Sequence, residues 1–202
     1  MLEERQVLTQ RRRWASITEA AATMGTTSDD LIRKLSLVPL PHEGGFFRET
    51  YRSRLRLPAA ALPDGVAGER DASTAIYYLL TGTSFSALHR LKSDEVFHFY
   101  LGDPVEMLQL LPDGKNNVLV LGADIAAGMS PQSVVPAGVW QGSRLLAGGE
   151  FAVLGATTAP GFDFADFELG DRARLMTSYP EQAEMIAALT RESSPPSLED
   201  KR

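Results

Sequence analysis

Cysteine is absent from the 202 residues of this chain. The protein therefore has no disulfide bond, no thiolate nucleophile and no thiolate ligand for a metal ion. Histidine is scarce, with three residues in all. A metal ion would have to be held by these imidazoles together with carboxylate, amide or water oxygens.

An excess of positive charge is also missing, because 20 Lys and Arg residues stand against 26 Asp and Glu residues, a net charge of -6. Proteins that bind nucleic-acid duplexes normally show a basic face that displaces phosphate counterions, so we expect no nucleic-acid partner. The one basic cluster, three arginines at 11–13, is interpreted as a solvated face near the terminus.

Long apolar runs are lacking as well. A transmembrane helix needs roughly 20 consecutive apolar residues, and no segment approaches that length. Near the N-terminus Glu3 and Glu4 are acidic, and no apolar run of the secretory type follows them. The sequence predicts a cytoplasmic protein without a membrane partner.

The length is typical of one domain with terminal appendages. We expect a domain over residues 27–192, an N-terminal extension over 1–26 and a disordered tail over 193–202. The hydroxyl groups of Thr27 and Ser28 predict the start of a short helix, which ends before Pro39.

From Gly45 onward the pattern changes to short runs of alternating or apolar residues, which are typical of strands. The predicted strands are 46–52, 74–81, 85–91, 95–101, 105–111, 118–121, 133–135, 139–146 and 150–157. Many short strands with no helix between them indicate a β-sandwich or β-barrel. A last helix is predicted over 181–190, behind Pro180.

His89 and Glu95 lie six residues apart, on either side of a predicted turn at 92–94. A hairpin at this turn would place them at facing positions on adjacent strands, inside an apolar barrel. Burial of an imidazole and a carboxylate is costly unless they are paired, hold a metal ion or bind a ligand. The pair therefore predicts a site.

The segment that follows His89 resembles the first sequence motif of the cupin superfamily. His89, Glu95 and Gly102 take the positions of the motif's first histidine, its glutamate and its closing glycine. Leu91 replaces the second histidine of the motif. In the second cupin motif, matched from Pro136, Gln141 stands where the third histidine belongs.

A closer resemblance, to the DUF985 family of that superfamily, spans roughly residues 31–189. It is carried by the segments 41–52, 89–95, 98–100 and 135–141. The resemblance implies an all-β fold, the cupin double-stranded β-helix or jelly-roll barrel, with short flanking N- and C-terminal helices. It also implies a homodimer paired through an outer sheet face.

The resemblance to metal-dependent cupins, which hold a divalent ion with three histidines and a glutamate, implies a reduced ligand set. That set is His89, Glu95 and Gln141, and the ions it suits are Zn, Mn, Fe or Ni. The alternative is a metal-free pocket in which the same side chains bind an organic ligand by hydrogen bonds.

A second resemblance, at residues 45–49 and 88–89, is to the cupin-fold deoxysugar-nucleotide 3,5-epimerases. It implies that His89 is a general base beside a substrate carbonyl, a role that suits imidazole. A phenol would supply the opposing acid, and the candidates are Tyr51, Tyr78 and Tyr100. Two positions depart from those enzymes, because Gly44 replaces a phosphate-contacting arginine and Glu95 replaces a lysine.

Further polar residues are candidates for ligand binding. Arg48 and Glu49 point to opposite faces of a regular strand, and an inward Arg48 would bind a carboxylate or phosphate. His98 falls on the face opposite Glu95, which leaves an outer-sheet role and a ligand role open. The predicted ligand-binding set is Arg48, Glu49, Tyr51, Tyr78, His98 and Gln141, and the predicted catalytic set is His89, Glu95 and Tyr100.

These observations predict a small-molecule enzyme, an isomerase, epimerase or lyase acting on a sugar-like or carboxylated substrate with His89 as the acid–base residue. A non-catalytic small-molecule-binding protein is the first alternative, and a metal-dependent oxygenase is the second. The phenylalanines at 162, 164 and 167 receive no chemical role.

Overall fold

A computed structural model describes residues 25–63 and 65–191. Its strands are β1 (Val38–Pro39), β2 (Phe46–Arg52), β3 (Arg56–Leu57), β4 (Arg70–Asp71), β5 (Thr74–Thr81), β6 (Phe85–Leu91), β7 (Asp94–Gly102), β8 (Val105–Leu110), β9 (Asn116–Leu121), β10 (Gln132–Val135), β11 (Trp140–Leu145), β12 (Phe151–Ala159) and β13 (Phe167–Leu169). Its α-helices are α1 (Ser28–Lys34), α2 (Arg172–Ser178) and α3 (Ala183–Ala188). The arginine run at 11–13, most of the predicted extension and the predicted tail lie outside the described residues.

Two antiparallel sheets form the barrel. The six-stranded sheet has the order β1-β2-β5-β12-β7-β10, and the five-stranded sheet has the order β13-β6-β11-β8-β9. Strands β6 and β7, which follow one another in the chain, therefore lie in opposite sheets. The predicted hairpin between His89 and Glu95 is wrong, because the turn after β6 carries the chain across to the other sheet.

The main core lies between the two sheets. Its largest fully buried side chains are Tyr78, Leu80, Met107, Leu121 and Leu154. Helices α2 and α3 cover the outer face of the five-stranded sheet, where Leu175, Ile186 and Leu189 pack on Leu88, Leu108 and Leu110. Helix α1 covers the outer face of the six-stranded sheet, where Leu31 and Leu37 pack with Leu79 and Val153.

The predicted start of the first helix is confirmed by its cap. The Thr27 hydroxyl accepts a hydrogen bond from the Asp30 amide at 3.2 Å, and the Asp30 carboxylate accepts one from the Thr27 amide. Such reciprocal caps satisfy first-turn N–H groups that have no partner within the helix. No helix within 25–63 and 65–191 is both long and apolar enough to cross a membrane.

The predicted all-β barrel with short flanking helices is confirmed. The predicted strands agree with the observed ones to within two residues at each end. The sequence did not predict β1, β3, β4, β13 or α2. The missed strands have two or three residues each, which is too short for an alternating pattern to be recognised.

Candidate active site

His89 lies inside the barrel on β6, and its side chain is 2% exposed. Its Nδ1 is 2.8 Å from the carbonyl oxygen of Ala87. Because a carbonyl oxygen only accepts, Nδ1 carries the proton and donates it, so Nε2 holds the lone pair in the neutral imidazole. The ring stacks on Phe167, with centroids 5.1 Å apart, which fixes its plane.

Gln141 and Glu95 complete the group that the sequence predicted. Gln141 is the register partner of His89 on β11, and its Nε2 donates a hydrogen bond to Oε2 of Glu95 at 2.6 Å. Glu95 reaches the same point from β7 in the opposite sheet, with 7% of its surface exposed. The fold thus brings together three residues that are far apart in the chain.

The Glu95 carboxyl group has an altered acidity. Burial raises its pKa from the usual 4.5 to about 7, and the charge of Glu43 acts in the same direction. His89 and the hydrogen bond from Gln141 oppose the increase. The carboxyl group can therefore gain and lose a proton near neutral pH.

Glu43 is a site residue that the sequence did not predict. It lies in the loop between β1 and β2, with Oε2 at 3.8 Å from Nε2 of His89. Its other oxygen, Oε1, accepts a hydrogen bond from the Ser86 hydroxyl at 2.8 Å. Glu43 lies in the segment 41–52, one of the segments that carry the DUF985 resemblance, and this is the signal by which the sequence could identify it.

Ser86 reaches Glu43 because β6 is irregular. The register with β11 shifts between the His89 and Ser86 pairings, so strict alternation does not hold along β6. In this bulge the amides of Ala87 and Leu88 donate outside the ladder, to the carbonyl oxygens of Glu43 and Leu189. A bulge redirects the side chains that precede it, which places Ser86 and His89 on the same carboxylate.

A cavity of about 300 Å³ lies against this group. We call Glu43, His89 and Glu95 its floor. The exposed lining residues Glu49, Arg52 and Asp163 form its rim, and Phe162, Phe164 and Phe167 form an aromatic wall. The remaining lining residues are Leu40, Pro41, Phe47, Thr74, Ile76, Leu91, Ala156 and Thr158.

A second bulge decides which residues of β2 reach the cavity. The register with β5 shifts between Glu49 and Tyr51. As a result Glu49 and Arg52 line the cavity, whereas Tyr51 points to the outer face and is 54% exposed. Uninterrupted alternation would have put Tyr51 on the cavity side. The binding role predicted for Tyr51 is not supported by its position, and Arg52 was not among the predicted site residues.

Three other predicted site residues lie on the outer face of the six-stranded sheet. Arg48 stacks over the Tyr77 ring at 5.5 Å, and His98 hydrogen-bonds to Gln132 at 3.2 Å. Tyr100 is 52% exposed and stacks on His98. The catalytic role predicted for Tyr100 and the binding roles predicted for Arg48 and His98 are therefore not supported by position, because strand alternation turns these side chains away from the cavity.

Tyr78, another predicted ligand-binding residue, is buried in the main core and does not line the cavity. Its hydroxyl donates to the carbonyl oxygen of Gly44 at 2.9 Å, and burial raises its pKa well above the usual value. The phenol therefore anchors the loop that carries Glu43.

The residues present do not fit the divalent metal centre that the cupin resemblance implied. Gln141 presents its Nε2, which does not ligate metals, to Glu95, while its Oε1 is buried without a hydrogen-bond partner in the described chain. Across residues 25–63 and 65–191, no three His, Asp or Glu side chains are arranged to hold an ion. Leu91 occupies the position of a further imidazole.

Comparison with known proteins places the chain in a family. Residues 29–170 match the family described as "Cupin superfamily (DUF985)". The uncharacterized protein YML079W of Saccharomyces cerevisiae is 32% identical over 157 residues, which cover 73% of this chain and 78% of the yeast protein.

Two solved structures are also similar. A hypothetical protein from Leishmania major has a TM-score of 0.74 at 32% identity and covers 82% of this chain and 99% of its own. Protein SO0799 from Shewanella oneidensis has a TM-score of 0.72 at 34% identity, with coverages of 83% and 99%. The barrel, its motifs and these matches agree, and the chain belongs to the DUF985 family of the cupin superfamily.

Proposed function

We propose that this cupin is an isomerase or epimerase that moves a proton at the carbon beside the carbonyl group of a small sugar-like substrate. One observation carries the proposal: the cavity floor joins an imidazole with a free Nε2 lone pair to a carboxyl group whose pKa is about 7. The lone pair can accept a proton, and a carboxyl group with this pKa can donate one near neutral pH; this reaction needs both a base and an acid.

His89 is the base of the proposed reaction. Its Nε2 removes the proton from carbon, and the electron pair of the C–H bond becomes the double bond of an enol or enolate. The imidazolium that forms is stabilised by the Glu43 carboxylate, 3.8 Å from Nε2, while Ser86 holds that carboxylate in place. Return of the proton to the former carbonyl carbon gives an isomer, while Glu95 regains its proton from the neighbouring hydroxyl group. Protonation of the original carbon by water from the face opposite His89 gives an epimer, while Glu95 regains its proton from the enol oxygen.

Glu95 is the acid. In its protonated form it donates to the carbonyl oxygen on which negative charge develops, the role that the resemblance to the 3,5-epimerases implies for a lysine at this position. Burial is what makes the protonated form available, since it raises the pKa of this carboxyl group to about 7. An ionised carboxylate at this position would instead repel the enolate.

The size and lining of the cavity support a small, sugar-like substrate over a carboxylated one. A volume of about 300 Å³ is at the lower end of ligand sites. The aromatic wall offers flat apolar surfaces to the C–H face of a ring, and the floor offers oxygen acceptors to hydroxyl groups. A substrate carboxylate would lie against Glu43 and Glu95, both of which repel it when ionised.

The test is proton–deuterium exchange. A panel of aldoses and ketoses is incubated with the protein in D2O, and deuterium at the carbon beside the carbonyl is followed by NMR. We expect exchange with at least one sugar, and a loss of about a hundredfold or more in His89→Asn, because general bases contribute that much. His98→Asn is the matched control, since it removes an imidazole from the outer face and also tests the binding role predicted for His98.

Two results would contradict the proposal. If a sugar binds to the wild-type protein and no deuterium is incorporated, the protein is the non-catalytic binder that the sequence left open. If exchange persists in His89→Asn at the wild-type rate, the base is another group.

A further inference from the structure

The charge around the cavity is unbalanced. Four of the lining side chains are carboxylic acids: Glu43, Glu49, Glu95 and Asp163. In the described part of the chain, Arg52 is the one Lys or Arg that lines the cavity. The lining is therefore acidic even when Glu95 holds a proton.

Arg52 is already paired with carboxylates, because each of its three guanidinium nitrogens donates to one. Its Nε and Nη2 donate to the two oxygens of Glu49 at 3.0 and 2.6 Å. Its Nη1 donates to Asp71 at 2.6 Å. Two carboxylates thus neutralise the guanidinium at the rim, and the floor keeps its acidic character.

Two buried side chains on the floor can accept hydrogen bonds from a ligand, His89 through Nε2 and Glu95 when it is ionised. Glu95 uses Oε2 to accept from Gln141, whereas its Oε1 has no hydrogen-bond partner among the described residues. Nε2 of His89 also lacks one, since 3.8 Å to Glu43 is too long. Both side chains are more than nine-tenths buried and line the cavity.

The aromatic wall is compatible with a cation. Phe162 and Phe164 meet edge to face with centroids 5.0 Å apart, and Phe164 is exposed towards the mouth. Aromatic faces attract ammonium groups, and the attraction grows when water is excluded. The wall and the floor therefore both favour a positively charged ligand.

We propose that the cavity takes a sugar-like substrate that bears a protonated amine, and that it prefers this amine to the neutral and acidic molecules of the same shape. The inference rests on the proposed function for the identity of the site. It concerns the charge of the substrate, which proton transfer by His89 does not itself determine.

The first test compares three sugars that share a ring, D-glucosamine, D-glucose and D-glucuronate, by ligand-observed NMR titration at millimolar concentration. We expect glucosamine to bind about tenfold tighter than glucose, because its ammonium group would face carboxylates on a largely buried floor, where water screens the attraction less than at the surface, and glucuronate to bind more weakly than glucose. Added salt should weaken the binding of glucosamine and leave the binding of glucose unchanged. Equal binding of the three sugars, tighter glucuronate or no binding of glucosamine overturns the inference.

The second test removes one charge from the floor. Glu43→Gln keeps the shape and the acceptor for Ser86, and we expect the preference for glucosamine over glucose to fall about threefold, because one of the charges that attract the amine is lost while the others remain. Glu150→Gln makes the same change of charge at an exposed position outside the cavity and should leave the preference as it is. If Glu43→Gln does not fold, Asp163→Asn at the exposed rim serves instead, with a smaller fall in the same direction. An unchanged preference in the folded variant contradicts the inference.

Binding and exchange separate this inference from the proposed function. Exchange in neutral sugars with no amine preference overturns the inference and leaves the proton-transfer function standing. A preference for the amine without exchange supports the inference and contradicts the enzyme.

Discussion

The Gln141 amide donates from Nε2 to Oε2 of Glu95 over 2.6 Å, and its own Oε1 is left buried with no hydrogen-bond partner in the described chain. An unsatisfied buried acceptor costs about 1–3 kcal/mol. The orientation is nevertheless the one that an ionised Glu95 requires, because a carboxylate accepts and the amide nitrogen is the donor. Gln141 therefore opposes the effect of burial and keeps the Glu95 carboxylate accessible near neutral pH.

Replacement of Gln141 by leucine should raise the pKa of Glu95 further, by about one unit, because a hydrogen bond to the charged form is lost while burial remains. A carbon-13 NMR titration of the glutamate carboxyl groups measures this. Gln132→Leu, which removes an amide from the outer face, should leave the titration of Glu95 in place. A lower pKa in Gln141→Leu would show that the amide does not stabilise the carboxylate.

Stability should depend on pH through Glu95. Its pKa rises from 4.5 to about 7 on folding, so between these values the native state binds more protons than the unfolded state and stability falls as pH rises. The total loss of stability is on the order of 3 kcal/mol; it is absent below pH 4.5 and complete above pH 7.

Glu95→Gln should remove this dependence, since the amide stays neutral throughout. Urea unfolding of both proteins at pH 5 and pH 8 gives the comparison, and the variant should gain stability relative to the wild-type protein at the higher pH. Parallel pH profiles for the two proteins would mean that Glu95 is ionised in the native state at both pH values.

The buried ion pair of Arg70 with Asp166 should be the strongest charge contact outside the site. Arg70 donates from Nε and Nη2 to the two oxygens of Asp166 at 2.7 and 3.0 Å, and both side chains are buried. Asp166→Ala leaves a buried guanidinium without its carboxylate and should cost about 3–5 kcal/mol.

The matched control is Glu168→Ala, which breaks the exposed pair with Arg90 and should cost less than about 1 kcal/mol. Chemical denaturation measures both variants. Because Asp166 precedes Phe167, which stacks on His89, the Asp166 variant should also weaken ligand binding at the cavity. An equal loss of unfolding free energy in the two variants would contradict the expectation that the buried ion pair stabilises the protein more than the exposed one.

Gly44 should tolerate no side chain. Its φ is +108°, and a Cβ would lie 2.5 Å from the carbonyl oxygen of Phe85. Gly114 has φ of +87° but faces open space. Both alanine variants lose the freedom of glycine at positive φ, which costs about 1 kcal/mol, and only Gly44→Ala adds a backbone clash.

Gly44→Ala should therefore lower the melting temperature several degrees more than Gly114→Ala, in line with about 1–3 kcal/mol for forced overpacking. It should also reduce proton exchange into the substrate, because a shift of Gly44 would displace its neighbour Glu43. The Gly44 carbonyl oxygen accepts the hydrogen bond from the Tyr78 hydroxyl that anchors this loop. A melting temperature equal to that of Gly114→Ala would show that the loop has room to move.

Local patterns were enough to predict most of the strands and the first helix. Alternation over seven residues marked β2 and β6, and the hydroxyl of Thr27 marked the start of α1. These signals work because they depend on backbone geometry and near neighbours. Two-residue strands such as β3 and β4 carry no such pattern and exist only because other parts of the fold place them side by side.

The site was predicted in part. His89, Glu95 and Gln141 were selected because the cupin resemblance assigned them to one place, and the structure does bring them together. Tyr51, a predicted site residue, lies outside the cavity, and Arg52, which was not predicted, lines it. The cause is a bulge that interrupts the alternation of β2, and bulges depend on the paired strand. Glu43 and the role of the aromatic wall were missed because loops and a three-residue strand such as β13 carry no recognisable periodicity.

By itself the sequence determined the all-β class, the strand positions and the presence of a polar pair that an apolar barrel could not bury without cost. Only the tertiary structure decided that His89 and Glu95 face each other from different sheets, that Glu43 joins them, and that an acidic cavity opens above all three. The physical reason is that strand formation depends on contacts along the chain, whereas the pKa of Glu95 and the charge of the cavity depend on which distant segments exclude water from the same point.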